Sequence, residues 1–459
     1  MCIKYLDILI FTNDKKLELF VVLQVVYYLI IYERFACCQM STDANEESKN
    51  KKVGVKMDFI WGIIGILVVL GIGFAFSTNR KAIQWRIVLS GLAVQLLFAF
   101  IVLKWEFGRE KLMQLSDGVQ NLVNYAFEGI EFVFGGLANA DTVGFVFAIS
   151  VLCIIIFFSS LISVLYYLGI MQIIIKIIGG FLSKVLGTTQ AESFNAAANI
   201  FVSQTEAPLV IRPFLNTMTK SQLFAVMTGG MASVSGSVLV GYSVLGVPLE
   251  YLLAASFMAA PAGLVLAKLI MPETEEVNEA DFKLERDKSA ANVIDAAANG
   301  AADGLKLAVN VGAMLIAFIA LIALINGILG SIGGWFGFGD ITLEEILGYV
   351  FSPLAFAIGV PWEEAVRAGS FIGQKLILNE FVAYSNFGPV IGEFTEKTGI
   401  IISFALCGFA NLSSMGILIG GIGGMAPDKR PVIAKLALKV VLAGTLASLL
   451  SAAIAGMFL

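Results

Sequence analysis

Residues 199–209 read Asn199-Ile-Phe-Val-Ser-Gln-Thr-Glu-Ala-Pro-Leu209, and residues 374–384 read Gln374-Lys-Leu-Ile-Leu-Asn-Glu-Phe-Val-Ala-Tyr384. Each sets a carboxylate, Glu206 or Glu380, beside amide or hydroxyl side chains in an otherwise apolar part of the chain. Each precedes a stretch of small and polar residues: Gly229-Gly-Met-Ala-Ser-Val-Ser-Gly-Ser237 after the first, Gly408-Phe-Ala-Asn-Leu-Ser-Ser414 after the second. The order hairpin, broken helix, helix therefore occurs twice. Two such units entering a membrane from opposite sides form an inverted repeat, whose unwound elements meet near the bilayer midplane. Irregular backbone at that depth survives only where protein buries it or where it lines a cavity.

The rest of the chain fits that setting. Of 459 residues, 58% are hydrophobic and only 14% charged, with a mean hydropathy of +0.87. Soluble domains carry roughly 25% charged residues, whereas a run of about 20 apolar residues crosses ~30 Å of hydrocarbon as a helix. Such spans read at about 58–76, 86–103, 143–168, 220–245, 248–271, 305–330, 399–424 and 432–458. Between the second and third, Leu112, Leu115, Val119, Leu122, Ala126 and Ile130 recur at helical spacing with Lys111, Gln114, Asp117, Asn121 and Asn124 between them, an amphipathic helix suited to the membrane surface. The expected fold is an all-α polytopic membrane protein: eight transmembrane helices, two re-entrant helical hairpins in an inverted repeat, and amphipathic interfacial helices.

Residues 1–56 stand apart as an N-terminal extension. Leu19–Tyr32 is apolar but short for a span, and Ser41–Lys52 has a disordered composition, so Met57 reads equally as a natural start or as the opening of the second of nine helices. Beyond it, 57–178 reads as N-terminal scaffold, 179–271 as the first hairpin and broken helix, 272–335 as a polar loop (272–304) with a scaffold helix, and 336–459 as the second hairpin unit. Arg80, Lys81 and Arg86, with Lys429, Arg430 and Lys435, put two short loops in the cytoplasm. Alternate crossings then require that 180–215 and 345–398 each enter and leave on one side, with both termini of the 57–459 core outside a cell membrane.

Composition also excludes functions. A net charge of −5 argues against a nucleic-acid partner, and the absence of histidine removes histidine catalysis and histidine-ligated metals. Cys2, Cys37, Cys38, Cys153 and Cys407 show no metal or disulfide spacing. Neither a Gly-x-Ser-x-Gly elbow nor a phosphate-binding loop is present, so a hydrolase and an ATP-driven pump lack their motifs. Glu206 and Glu380, if in the membrane, need hydrogen-bond donors, since an ionisable group there costs from ~2.5 kcal/mol upward. Glu363, Glu364 and Arg367 read as a solvated hairpin entrance, and Lys375 as a side chain that snorkels to the surface.

Ser203-Gln-Thr-Glu-Ala-Pro-Leu209, Leu378-Asn-Glu-Phe-Val-Ala-Tyr384 and Cys407-Gly-Phe-Ala-Asn-Leu-Ser-Ser414 resemble the signature segments of the concentrative nucleoside transporter family, over a region from about Met57 to the C-terminus. The resemblance implies a homotrimer in which a scaffold carries a mobile transport domain, moving nucleoside with a cation and acting as no enzyme. It assigns Gln204, Thr205 and Glu206 to the nucleobase, with Val238 and Phe409 packing around it, and Glu380, Asn411 and Ser414 to the ribose. Hydrogen-bond chemistry agrees: ionised Glu380 accepts from ribose hydroxyls, while Gln204 and Asn411 serve either sense.

The resemblance also places a sodium ion near Asn199, Val202, Ser233 and Val234, the valines contributing only carbonyls; Asn199 and Ser233 equally suit caps of broken helix ends. Ala207-Pro208-Leu209 follows the sodium-type pattern, with proton coupling as the alternative. Ser203, followed by Gln204 and with Ser237 on the next helix, resembles pyrimidine-preferring members. A symporter of similar architecture for another polar solute, such as a dicarboxylate, would want arginine at the site, and only Arg212 lies near the first tip.

Overall fold

The computed structural model describes residues 47–139, 143–277, 290–335 and 341–458, all helices and connecting turns. Helix α1 runs Glu47–Ala75, α2 Trp85–Ala99 with a π-helical extension Phe100–Lys104, and α3 Glu106–Phe134. A π-turn, Ala148–Leu152, leads into α4, Cys153–Tyr167, and α5 follows at Ile170–Leu186. The first hairpin is α6, Gln190–Ala198, a break at 199–206, and a 3-10 return, Ala207–Phe214. Its unit continues with α7, Lys220–Ala232, α8, Gly236–Val244, and α9, Leu249–Ile270.

After α10, Val293–Trp335, come α11, Leu343–Ala357, and the second hairpin: α12, Trp362–Ile377, then α13, Glu380–Phe387, extended by a 3-10 turn, Gly388–Glu393. The second unit closes with α14, Glu396–Leu406, α15, Leu412–Met425, and α16, Arg430–Met457.

Local chemistry sets the breaks. Thr189 and Glu192 form a reciprocal capping box at the start of α6, and Thr219 with Gln222 does the same for α7. In the second unit asparagines take this role: Asn379 Oδ1 accepts from Val382 N at 2.9 Å, and Asn411 Oδ1 from Ser414 N at 2.7 Å. An Asn cap satisfies first-turn N–H groups that otherwise have no partner, so a helix restarts cleanly inside the protein.

Seven helices among the described residues are long and apolar enough to cross a membrane, and they match seven of the eight expected spans. The eighth, 399–424, is divided between α14 and α15 at residues 407–411, while α11 and α12 form an apolar pair bent by 116°. Burial sorts the spans. The best windows of α7–α8, α9 and α16 are 94%, 89% and 94% buried, against 28–33% for α1, α2 and α4 and 17% for α10, so α7–α9 and α16 lie in the core and the others at its rim.

Three expectations need correction. The loop expected over 272–304 ends sooner, because α10 begins at Val293; its Ala-rich start, Asp295-Ala-Ala-Ala-Asn-Gly-Ala-Ala302, is strongly helix-forming despite its polarity. Gly300 and Gly304 then let α10 close on Ser159, Ser160 and Ser163 of α4, where Ser160 Oγ donates to Ala297 O at 2.9 Å. The polar stretch Ser41–Lys52 is helical from Glu47 onward, while Leu19–Tyr32 lies outside the described residues. Helix α5, not expected, precedes the first hairpin. It ends at Gly187, whose φ of 78° is left-handed.

Candidate substrate and ion site

The two helix breaks meet. Phe409 N, in the break of the second unit, donates to Ser233 O in the break of the first at 3.1 Å. Gly408 permits this approach: at φ 154°, a Cβ there would stand 2.8 Å from Ala232 O and 2.7 Å from Ser448 Oγ. The first hairpin tip reaches the same place, since Gly236 N donates to Phe201 O at 2.9 Å. Thr205 packs so closely on Gly421 of α15 that a Cβ at 421 would come 2.6 Å from its Cγ2.

Glu380 lies at the start of α13 and is 4% exposed. Its Oε1 accepts from Tyr242 Oη at 3.2 Å and its Oε2 from Asn411 Nδ2 at 2.8 Å. Asn411 is held by Ser413 Oγ and Ser414 N, both at 2.7 Å from its Oδ1. Glu380, Asn411 and Ser414 thus form one connected buried group. Tyr242 is fixed in turn by stacking on Tyr384, with centroids 4.4 Å apart, and by an edge contact with Phe381 at 4.8 Å; Tyr384 Oη donates to Ser403 O at 2.7 Å.

The first tip differs. Gln204 is buried, and its Oε1 has no partner among the described residues. Thr205 Oγ1 and Ser203 Oγ are 3.1 Å apart, and Glu206, which needed donors as a membrane carboxylate, is exposed and accepts from Ser203 N at 3.0 Å. Val238 is buried on α8, Ser237 Oγ is 3.3 Å from Ser235 Oγ, and Phe409 is half-buried.

For the ion, Asn199 is 1% exposed; its Nδ2 donates to Asn195 O at 3.0 Å, leaving Oδ1 without a partner among the described residues, beside Gly230. An orphaned buried amide oxygen is costly unless something binds it. Val202 and Val234 are buried, and Ser233 Oγ donates to Gly229 O at 2.9 Å, keeping its lone pairs free. An amide oxygen, a hydroxyl and carbonyls at a helix break are the ligands a hard monovalent cation takes.

Lys375 does not snorkel: it is 1% exposed, and its Nζ donates to Ala405 O at 2.8 Å and Ser448 Oγ at 3.0 Å. The expected entrance residues are at the surface, where Glu364 accepts from Thr395 N and Oγ1, both at 2.9 Å, and Arg367 pairs with Glu393 at 2.8 Å.

Sequence reasoning missed three partners. Tyr242 had a signal, since a tyrosine hydroxyl within an apolar span needs an acceptor. Ser448 gave none, being one of several small residues on α16. Nor did it pair Glu192 with Lys268, which form a buried ion pair at 2.5 Å where the base of the first hairpin meets the end of α9.

Family models match almost the whole described chain. One described as "Na+ dependent nucleoside transporter N-terminus" covers residues 64–137, one described as "Nucleoside recognition" covers 148–248, and one described as "Na+ dependent nucleoside transporter C-terminus" covers 251–456. A Bacillus subtilis protein named "Uncharacterized transporter YutK" is 60% identical over 405 residues, which is 88% of this chain and 100% of its own. "Nucleoside permease NupC" of Helicobacter pylori is 51% identical over 411 residues, with 87% and 98% coverage. "Sodium/nucleoside cotransporter 2" of Rattus norvegicus is 41% identical over 411 residues, spanning 85% of this chain and 62% of the rat protein. The solved structure of CNTnw in an inward-facing substrate-bound state superposes with a TM-score of 0.83 at 53% identity, covering 87% of this chain and 98% of that one.

Proposed function

Because the chain belongs to the Na+-dependent, concentrative nucleoside transporter family, a family of transporters and not of enzymes, we propose that it imports nucleosides, pyrimidines such as uridine foremost, together with sodium across the cell membrane. The observation that carries the reading is the junction of the two helix breaks, Phe409 N to Ser233 O, with the buried Glu380–Asn411–Ser414 group on one side and the open oxygens of Gln204 and Asn199 on the other.

In this mechanism Glu380 and Asn411 receive the ribose hydroxyls, and Gln204, Thr205 and Glu206 meet the base between Val238 and Phe409. Ser203, with Ser237, crowds the larger purine ring. Sodium takes the oxygens of Asn199 and Ser233 and the carbonyls of Val202 and Val234. Ion and nucleoside together stabilise the closed tips of two re-entrant hairpins. The units 179–271 and 336–459 then move past the scaffold of 57–178 and 272–335, the empty domain returns, and both ends of the 57–459 core stay outside. Each sodium entering at 100 mV, inside negative, contributes ~2.3 kcal/mol. Assembly as a homotrimer completes the reading.

Uridine uptake into proteoliposomes, under an inward sodium gradient and an inward proton gradient at matched potential, tests it. Sodium-driven accumulation abolished in Glu380→Gln is the expected result. Accumulation driven by protons alone would discard the sodium site, and no uptake under either gradient by folded protein would point to another solute. A Ser203→Gly variant should raise purine uptake relative to pyrimidine, and an unchanged ratio would remove Ser203 from the specificity set.

A further inference from the structure

Lys375 stands one turn before the break of the second hairpin, with its charge entirely inside the protein. Its Nζ donates to Ala405 O at 2.8 Å, in the last turn of α14, which ends at Leu406. The ammonium therefore sits at the negative end of a helix dipole. Its second acceptor, Ser448 Oγ at 3.0 Å, is itself 3.1 Å from Cys407 O, in the backbone freed by the break. Carbonyls at the end of a half-helix, with a hydroxyl beside them, are oxygens of the kind that hold coupling cations in inverted-repeat transporters.

The first unit has the corresponding break after α7, and among the described residues its oxygens hold no tethered charge. Asn199 Oδ1 is buried there without a partner. The buried lysine of that unit, Lys268, is engaged elsewhere: its Nζ lies 2.9 Å from Ser221 Oγ at the start of α7 and pairs with Glu192. Ser221 and Ser233 are separated by about 18 Å along the helix.

We propose that the Lys375 ammonium is a built-in cation occupying, in the second repeat, the counterpart of the exchangeable sodium position in the first. The protein then couples transport to one mobile cation per cycle, the second position being permanently filled by a charge that cannot leave. Lys375 also supplies a fixed positive charge to the hairpin that carries Glu380, so that carboxylate needs no second ion. This rests on the sodium reading above.

Removing the side chain while leaving its space should convert the position into a second ion site. The test is thermal unfolding of the purified full chain in sodium, ammonium and choline chloride at matched ionic strength, for wild type, Lys375→Ala and Lys375→Met. The alanine variant should melt lower than wild type in choline and recover in sodium or ammonium. The number of ions taken up on folding, read from the limiting slope of stability against the logarithm of ion concentration, should rise from about 1 to about 2, as mass action requires for an added site. The methionine variant, which fills the space without charge, should be destabilised and keep only the wild-type ion response.

The proposal is overturned if alanine and methionine respond alike, if the alanine variant keeps the wild-type ion response, or if no ion yields folded alanine variant. Wild-type uptake that is not driven by sodium would instead remove the sodium reading, which the melting comparison does not measure.

Discussion

The first hairpin buries its charge at the base and the second at the tip. At the foot of α6, Glu192 and Lys268 are 1% and 5% exposed, with Thr189 Oγ1 donating to Glu192 at 2.9 Å and Ser221 Oγ beside the ammonium. The tip carboxylate of that hairpin, Glu206, faces outward. In the second hairpin the base is stitched by exposed groups, Arg367 to Glu393 and Glu364 to Thr395, while Lys375 and Glu380 near the tip are buried. The difference assigns different work to the two. A base locked by a desolvated ion pair ties the first hairpin to α7 and α9 and, on the proposed reading, leaves its tip free to admit base and ion. A tip with buried, partnered charge makes the second hairpin, on the proposed reading, a preformed socket for the substrate.

The strongest way to break this comparison is at the first base. Lys268→Met leaves Glu192 buried without its partner and should cost ~3–5 kcal/mol of stability, read as a lowered unfolding temperature in detergent. A paired Glu192→Leu, Lys268→Met change should recover much of the loss, because replacing both charges removes the desolvation penalty as well as the attraction. No loss in the single variant would mean that the pair does not lock the hairpin.

Next in size is the second tip. Glu380→Gln weakens two charge-assisted hydrogen bonds, from Tyr242 and Asn411, and the bonds to bound ribose. The expected loss is about 3 kcal/mol of nucleoside binding, roughly 100-fold in affinity, measured by titration calorimetry. Glu206→Gln at the exposed first tip should cost about 1 kcal/mol, the net worth of an ordinary hydrogen bond. Equal losses at the two carboxylates would erase the contrast between socket and open tip. The smallest effect belongs to the second base: Arg367→Ala removes a surface ion pair and should change stability by less than about 1 kcal/mol.

How much of this could be read in the sequence follows the same division. Spans declare themselves by length and hydropathy, so seven of eight emerged as single apolar helices, or helix pairs nearly so. The breaks at 233–235 and 407–411 were legible because small and polar residues cluster there. Glu380 stood out as a carboxylate in an apolar stretch, whereas Asn411 and Ser414 were joined to it only through the family resemblance. What stayed hidden was pairing over long distances in the chain. Glu192 and Lys268 lie 76 positions apart by their residue numbers, and nothing local announces that the hairpin base and the end of α9 coincide. Lys375 misled for a related reason: the rule that a lysine in an apolar helix snorkels presumes lipid around it, whereas here the neighbours are the carbonyl end of α14 and Ser448. The extent of α10 was missed because polarity alone marked 272–304 as loop, against the helix propensity of its alanines.

The central claim is that the second tip grips the ribose of a nucleoside through Glu380. Its most direct test is a double cycle: binding of uridine and of its deoxy analogues, each lacking one ribose hydroxyl, to wild type and to Glu380→Gln. The account predicts that at least one missing hydroxyl weakens binding to wild type about tenfold or more, the cost of a hydrogen bond to a charged group, and that the penalty largely vanishes in the variant. Penalties of equal size in both proteins would contradict it, placing the ribose away from Glu380.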